Sequence, residues 1–236
     1  MKIATVILNR NLPTVTDALC ESLIKNGTDV EDIFVLEAGS EQGNLSKFCT
    51  WYVRDHDVIK KGLRYSRGMN QALINIFQTT AWNSYDAFLL LTNDTEFSTA
   101  KPVQMLAKVM EQHPRIAILS PCSKTWGEKH FLVKKHTKYF WSIGTTALMV
   151  RRKFIDQVSN QHTLLNLDFL FDGTNFRGYL ADLELVAKCY INDWAAAITS
   201  KVIAEENNAY LIELSDIIKS ESHDDNLKLY LQQHHR

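Results

Sequence analysis

The stretch with the clearest chemical content is Leu89-Leu90-Leu91-Thr92-Asn93-Asp94-Thr95-Glu96-Phe97, where an apolar run stops and two acids follow with one residue between them. A short apolar run of this kind fits the middle of a parallel sheet, and ligands of open α/β sheets collect beyond the C-terminal ends of the strands. Asp94 and Glu96 would stand at that edge. Carboxylates repel a diphosphate directly, but they hold a hard divalent cation whose coordination the diphosphate then completes. The competing reading is an ordinary surface turn with solvated acids, because Asn-Asp-Thr is good turn chemistry. A second pair of acids, Asp182 and Glu184, stands at the start of a helix expected over residues 179–191, where a carboxylate also serves the helix dipole.

The elements that must position these groups alternate between strand and helix. Residues 3–8 are apolar and β-branched, and Val15, Leu19, Leu23 and Ile24 form a helical stripe opened by Pro13 and closed by Gly27. Residues 33–36 and 48–53 read as further strands around a turn-rich segment, and the βαβ order makes them parallel. A helix is expected over 66–81, with Met69, Leu73, Ile76 and Phe77 on one side, then the strand 88–91 that delivers the acids. A helix over 103–112 and a strand over 116–119 follow. Residues 140–150 read as a strand carrying Gly144, Arg151-Arg152-Lys153 as the start of a short helix, and 194–199 as the end of the compact part. The fold class is α/β with a mostly parallel central sheet.

Composition narrows the function. The 236 residues, 45% hydrophobic and 22% charged, suffice for one α/β domain with a sizeable core. A net charge of -1 and a pI near 6.7 supply no global field for gripping nucleic acid, so any anion must be recognised at a local site. Cys20, Cys49, Cys122 and Cys189 are far apart, all but Cys122 fall in expected elements, and no pair has zinc spacing. Reduced thiols and a cytoplasmic location are the expectation. The N-terminus runs into a strand pattern without an export-type lead, and no later window has the length of a membrane span. Beyond Pro121, Lys124, Lys129, Lys134, Lys135 and Lys138 alternate with Trp126, Phe131, Tyr139, Phe140 and Trp141. Aromatic faces stack on sugar rings, so an acceptor could lie here, although most such lysines are solvated surface.

The order of these pieces over roughly residues 3–195 resembles the GT-A glycosyltransferases of family 2, which transfer a sugar from a nucleotide donor with inversion. Thr5-Val6-Ile7-Leu8-Asn9-Arg10-Asn11 is similar to the family's first strand and its polar end. Val35-Leu36-Glu37-Ala38-Gly39-Ser40-Glu41 is similar to the second strand, with Glu37 in place of the usual nucleotide-contacting aspartate. Arg67-Gly68-Met69-Asn70 resembles the helix start after the third strand. Leu91 to Glu96 resembles the Asn-Asn-Asp metal motif of rhamnosyl- and galactofuranosyltransferase-like members, Gly144 to Arg152 the strand-glycine-Arg-Arg segment, and Ala181-Asp182-Leu183-Glu184 the Glu-Asp-x-Asp helix start. Thr92 stands where many members have the first acid, and Ala181 where they have glutamate.

The resemblance implies a GT-A, Rossmann-like domain over 1–204, with a nucleotide-sugar half over about 1–98 and an acceptor half over 99–204. It assigns the donor nucleotide to Leu8, Asn9, Arg10, Glu37, Gly39, Arg67, Asn70 and Asn93, and a Mg²⁺ or Mn²⁺ ion to Asp94 with Glu96. Asp182 becomes the general base, and Trp141, Gly144 and Glu184 meet a glycan or lipid-linked saccharide acceptor. A helix N-terminus depresses a carboxylate's proton affinity, so partial burial or Glu184 must compensate at Asp182. The alternative is a non-catalytic nucleotide-sugar or glycan-binding module of the same fold. A nucleotidyltransferase would need a glycine-rich phosphate loop after the first strand, and residues 9–13 hold no glycine. Residues 205–236 read as a helical extension whose apolar positions pack on the domain, form a homo-oligomer contact, or touch the inner face of a membrane.

Overall fold

Strict alternation along the central strands sorts the core into two layers. In the computed structural model, which describes residues 1–125, 127–132, 136–162, 166–176 and 180–207, the strand Ile3–Asn9 (β1) sends Val6 to one face and Ile7 to the other. The strand Ala87–Thr92 (β4) does the same, with Phe88 and Leu90 opposite Leu89 and Leu91. The period of two along a pleated strand is the cause. The helices Pro13–Lys25 (α1) and Pro102–Gln112 (α4) cover one face. Arg64–Phe77 (α3), Arg152–Val158 (α5) and Ala181–Ile191 (α6) cover the other.

The sheet runs in the order β3-β2-β1-β4-β8-β6-β9-β5, with β7 added on β9. Here β2 is Ile33–Glu37, β3 Cys49–Tyr52, β5 Thr95–Phe97, β6 Ile116–Cys122, β7 Thr137–Tyr139, β8 Ala147–Arg151 and β9 Ala195–Glu206. Strands β1 to β4 are parallel, as the βαβ order required, and β8 is antiparallel to both β4 and β6. Register then aligns the polar ends of the strands: Asn9 opposes Glu37, and Leu8 opposes Thr92. Asn9 and Glu37, both expected at the donor, therefore lie side by side at this edge.

Three elements differ from their expected spans. The α3 helix ends at Phe77 instead of residue 81, because the Thr79 hydroxyl accepts from the Ala81 N–H at 3.3 Å and turns the chain into a 3-10 segment. The strand expected over 140–150 exists only as Ala147–Arg151, and Gly144 precedes it as irregular chain. Its partner β4 stops at Thr92 and turns away at Asn93 and Asp94, so no ladder is left for the residues before Ala147. Finally, β9 does not end at residue 199. A register shift separates its pairing of Thr199 with Pro121 from that of Ile203 with Cys122, and the strand then runs on along β5 to pair Glu206 with Thr95. Glu205 and Glu206, expected at the start of the extension, belong to this strand. The expectations for Trp126, Lys134, Lys135, Gly178, Tyr179 and residues 208–236 lie outside the described residues.

No disulfide joins Cys20, Cys49 or Cys189, and Cys122 closes β6. Among the described residues no helix is long and apolar enough to cross a membrane.

Candidate active site

At the donor edge the polar residues read from the sequence are turned inward. The Asn9 amide donates to Glu37 Oε2 at 2.8 Å, and its oxygen accepts from the Leu12 N–H, the Thr16 hydroxyl and Asn93 Nδ2. Glu37 is wholly buried and uses both oxygens, accepting from the Ser46 N–H at 2.8 Å as well as from Ser40 Oγ at 2.5 Å. Such saturation is what a buried carboxylate requires. Glu37 thus braces the loop after β2 instead of presenting an oxygen to solvent. Ser40, Ser46 and Thr16 belong to this network and were not singled out in the sequence; their small hydroxyls carry no signal without the fold. Leu8 is half-buried beneath Gly68 of α3.

Arg10 donates to the carbonyls of Ile59 and Lys60, the last turn of the helix His56–Lys61 (α2). A guanidinium there satisfies orphan carbonyls and opposes the negative end of the helix. Burial, with the like charge of Arg64, lowers its pKa. Gly39 has φ +103, and a Cβ there would lie 2.1 Å from the Val58 carbonyl oxygen, so only glycine lets this loop lie on α2.

Asp94 sits on the β4–β5 turn and is 7% exposed. Its backbone carbonyl accepts from the Asn207 N–H at 2.9 Å, and Thr95 pairs with Glu206. Burial chiefly raises the pKa of Asp94, a Thr92 hydrogen bond lowers it, and the charge of Glu206 raises it further. The Thr146 hydroxyl donates to Glu206 at 2.6 Å, while Gly144 shares a small cavity of about 30 Å³ with Thr146 and Glu206. Glu96 is exposed, accepts from Asn207 Nδ2, and borders with Asp94 a cavity of about 310 Å³ against α1. Among the described residues no group of three or more His, Cys, Asp or Glu side chains is arranged around a metal position. Asp94 therefore carries the added charge of Glu206, while Glu96, the expected second ligand, faces the exposed side of the same turn. Glu206 was missed in the sequence because its stretch was read as an extension.

The third group gathers around α3. Asn70 is wholly buried, and its amide makes four hydrogen bonds to one distant segment: Nδ2 donates to the carbonyls of Asn166 and Phe171, each at 2.8 Å, and Oδ1 accepts from the N–H groups of Leu170 and Phe171. Arg67 Nε donates to the Gly173 carbonyl at 2.7 Å, and Ser66 donates to the Phe176 carbonyl. A Cβ at Gly173 would lie 2.7 Å from Arg67 Cγ, so the close approach needs glycine. Asn70 and Arg67, named as donor contacts, are here the clamp that seats the segment leading into α6.

That segment delivers Asp182. The α6 helix packs on β6 and β9 and turns directly into β9, whose first residue pairs with the first of β6. Its N-terminus therefore points to the C-terminal ends of β6 and β4, the edge that holds Asp94. Burial raises the pKa of Asp182, outweighing the N–H groups of Asp182 and Leu183 that bond the carboxylate and lower it. The compensation expected at a helix N-terminus comes from burial. Glu184 plays no part in it, since residues two apart face different sides of a helix; it pairs with Lys188 at 2.6 Å, and Lys188 donates to the Leu170 carbonyl. Trp141 is 61% exposed on the chain between β7 and β8.

No protein-family profile matches the sequence, and no curated protein matches it. Solved structures do match the fold. A197 from STIV aligns over 87% of this chain and 85% of its own with a TM-score of 0.50 and 12% identity. S. aureus TarS 1-349 aligns over 99% of this chain and 72% of its own with a TM-score of 0.59 and 14% identity. The same TarS fragment in complex with UDP-GlcNAc aligns over 98% of this chain and 71% of its own, with a TM-score of 0.59 and 12% identity. The architecture is a GT-A-like glycosyltransferase fold, a mixed α/β sheet flanked by helices.

Proposed function

We propose that this chain is an inverting glycosyltransferase that moves a sugar from a nucleoside-diphosphate donor to a hydroxyl of a glycan or lipid-linked saccharide. The reading is supported by Asp182, a half-buried carboxylate whose proton affinity burial raises, on a helix that runs back against β6 and so begins toward the C-terminal strand ends, beyond which Asp94 also lies. The likeness to a TarS structure that holds UDP-GlcNAc supports a nucleotide-sugar donor.

In a single displacement, the acceptor O–H gives its proton to Asp182 while its oxygen bonds the anomeric carbon. The bond from that carbon to the diphosphate oxygen breaks on the opposite face, and the nucleoside diphosphate leaves with the electron pair. A carboxylate with raised proton affinity is the better base for this step. Asp94 and Glu206 would hold a divalent cation, which when bound neutralises charge on the departing diphosphate. The α3 clamp keeps α6 aimed at the edge. A cytoplasmic location, with a membrane-face or homo-oligomer contact through residues 208–236, belongs to the same proposal.

The test is release of nucleoside diphosphate from UDP-, GDP- and dTDP-sugars, with and without Mn²⁺. Turnover that rises with Mn²⁺ is the expected result. Donor binding without release from any donor would replace this reading with that of a non-catalytic binding module.

A further inference from the structure

Away from the transfer edge, a cavity of about 480 Å³ is lined by Arg115, Tyr139, Tyr190, Asp193, Trp194 and Ala195. These residues sit where β6 and β9 begin, where β7 ends and around the last turn of α6. The opposite, C-terminal strand ends, beyond which Asp94 lies, are about 20 Å away along the seven residues of β6. Tyr139 is 59% and Tyr190 45% exposed, so both rings offer open surface. Packing fixes two of the three aromatic groups: the Tyr139 ring meets His113 at 6.4 Å and 88°, while Trp194 donates from Nε1 to Gln157 Oε1 at 2.8 Å and meets Phe154 at 6.4 Å and 67°. The turn behind them closes α6 as a Schellman motif, in which the Trp194 N–H donates to the Cys189 carbonyl at 3.0 Å and the Asp193 N–H to the Tyr190 carbonyl at 3.2 Å. Glycine is the usual residue at the left-handed position of that motif, yet Asp193 occupies it with φ +59. The substitution costs backbone strain and places an exposed carboxylate on the cavity. Arg115 Nη2 donates to the Asp193 carbonyl at 3.3 Å, which ties the turn to the start of β6.

We infer that this cavity is a binding site for a short neutral oligosaccharide, separate from the transfer edge. The chemistry of its walls selects that class. Sugar rings carry C–H faces that stack on Tyr139, Tyr190 and Trp194, and hydroxyls that donate to the Asp193 carboxylate and accept from the Arg115 guanidinium. The volume falls within the range of ligand sites, about 300–1,000 Å³. One cation and one anion cancel, so a phosphate or a nucleotide meets no net positive charge to hold it. A lipid surface or an apolar helix would cover the rings but strip water from both charged groups without replacing their hydrogen bonds. The inference goes beyond the transferase reading and does not depend on turnover. Under that reading the cavity retains a remote part of the glycan whose end is being extended, which raises the concentration of that end at the transfer edge.

The test is binding of chitotriose, cellotriose and maltotriose to the full chain, measured by calorimetry without nucleotide and again with UDP. Binding of at least one of them, undiminished by UDP, is the expected result. No binding of any would overturn the inference, and so would displacement by UDP, which would put the sugar at the donor edge. Tyr139→Ala and Tyr190→Ala each remove an exposed ring and are expected to weaken binding about fivefold or more at an unchanged melting temperature. Asp193→Gly separates binding from folding, because glycine suits the left-handed turn: melting temperature is expected to stay level or rise while affinity falls by a similar factor. Native affinity in all three variants would overturn the assignment. A native dimer that becomes monomeric in Tyr190→Ala would give this face to a second copy of the chain and overturn it as well. Because the readout is binding, a failure to release nucleoside diphosphate would overturn the transferase reading and not this site.

Discussion

Glu206, the last residue of β9, stands beside Asp94 of the β4–β5 turn, and its negative charge adds to burial in holding the proton on Asp94. The folded protein binds that proton more tightly than the unfolded chain, whose carboxyl titrates at the ordinary aspartate value of about 3.9. Stability from this group is therefore complete below that value and is lost as pH rises through the folded one. Under the proposed function a divalent cation would relieve this charge on Asp94. Asp94→Asn is expected to raise the melting temperature without metal, by about 2–4 °C for each kcal/mol of repulsion removed. The same variant should lose the upward shift that Mn²⁺ gives the native protein. An unchanged Mn²⁺ shift would remove Asp94 from the cation site.

Asp182→Asn should abolish transfer and leave donor binding intact. Loss of a positioned base costs about 10²- to 10⁴-fold in rate, whereas the donor's diphosphate contacts lie elsewhere. The raised pKa fixes the sign of the pH dependence: the base works only when ionised, so activity falls as pH falls through its folded value. That limb should lie above the ordinary aspartate value of about 3.9. A pH–rate profile of the native protein, with donor affinity of the variant by calorimetry, checks both halves. Wild-type rates from Asp182→Asn would end the assignment.

Most strands and helices of the first hundred residues are legible from their apolar periods, α2 and β5 excepted, and register then brings Asn9 and Glu37 opposite each other. What local sequence could not carry was the partner of each polar side chain. Asn70 reads as a helix-start amide facing a ligand, yet its four bonds go to a segment about a hundred residues further on. Gly144 sat in a segment of good strand composition, but a strand needs a neighbour, and β4 had already turned away. Glu206 had a signal that was passed over: buried Val202 and Ala204 alternate with half-exposed Lys201, Ile203 and Glu205, which is the period of a strand one face of which is covered.

Asn70→Ala removes an amide that satisfies two N–H groups and two carbonyls in a buried setting. Each stranded group costs about 1–3 kcal/mol if water cannot reach it, and partial relaxation brings the sum to roughly 3–5 kcal/mol. The expected loss is about 10 °C or more in melting temperature, read by calorimetry. Activity per folded molecule should also fall, because the segment that aims α6 is no longer seated. A variant as stable and as active as the native protein would mean that the clamp is redundant with Arg67 and Ser66.

Gly39→Ala probes the loop that follows β2. Gly39 had been assigned to the donor nucleotide, but its conformation supplies a reason of its own: φ of +103 is a region where an L side chain is strained, and the new Cβ would meet the Val58 carbonyl oxygen at 2.1 Å and the Gly62 Cα at 3.3 Å. Both obstacles are backbone, so no side-chain rotation relieves them. Strain at positive φ costs about 1 kcal/mol, and displacing packed backbone adds about 1–3 kcal/mol. The loop would have to lift off α2, taking with it the Ala38 carbonyl that accepts from Leu63 at 3.1 Å. The expected outcome is a loss of about 2–4 kcal/mol in chemical denaturation, with weaker donor binding as the edge of the site shifts. Arg10→Ala separates the two causes, since it removes the guanidinium from the end of α2 without forcing the Gly39 loop outward. A smaller loss of stability in Arg10→Ala than in Gly39→Ala locates the strain in the glycine, and full stability in Gly39→Ala would show that the loop has room the structure does not provide.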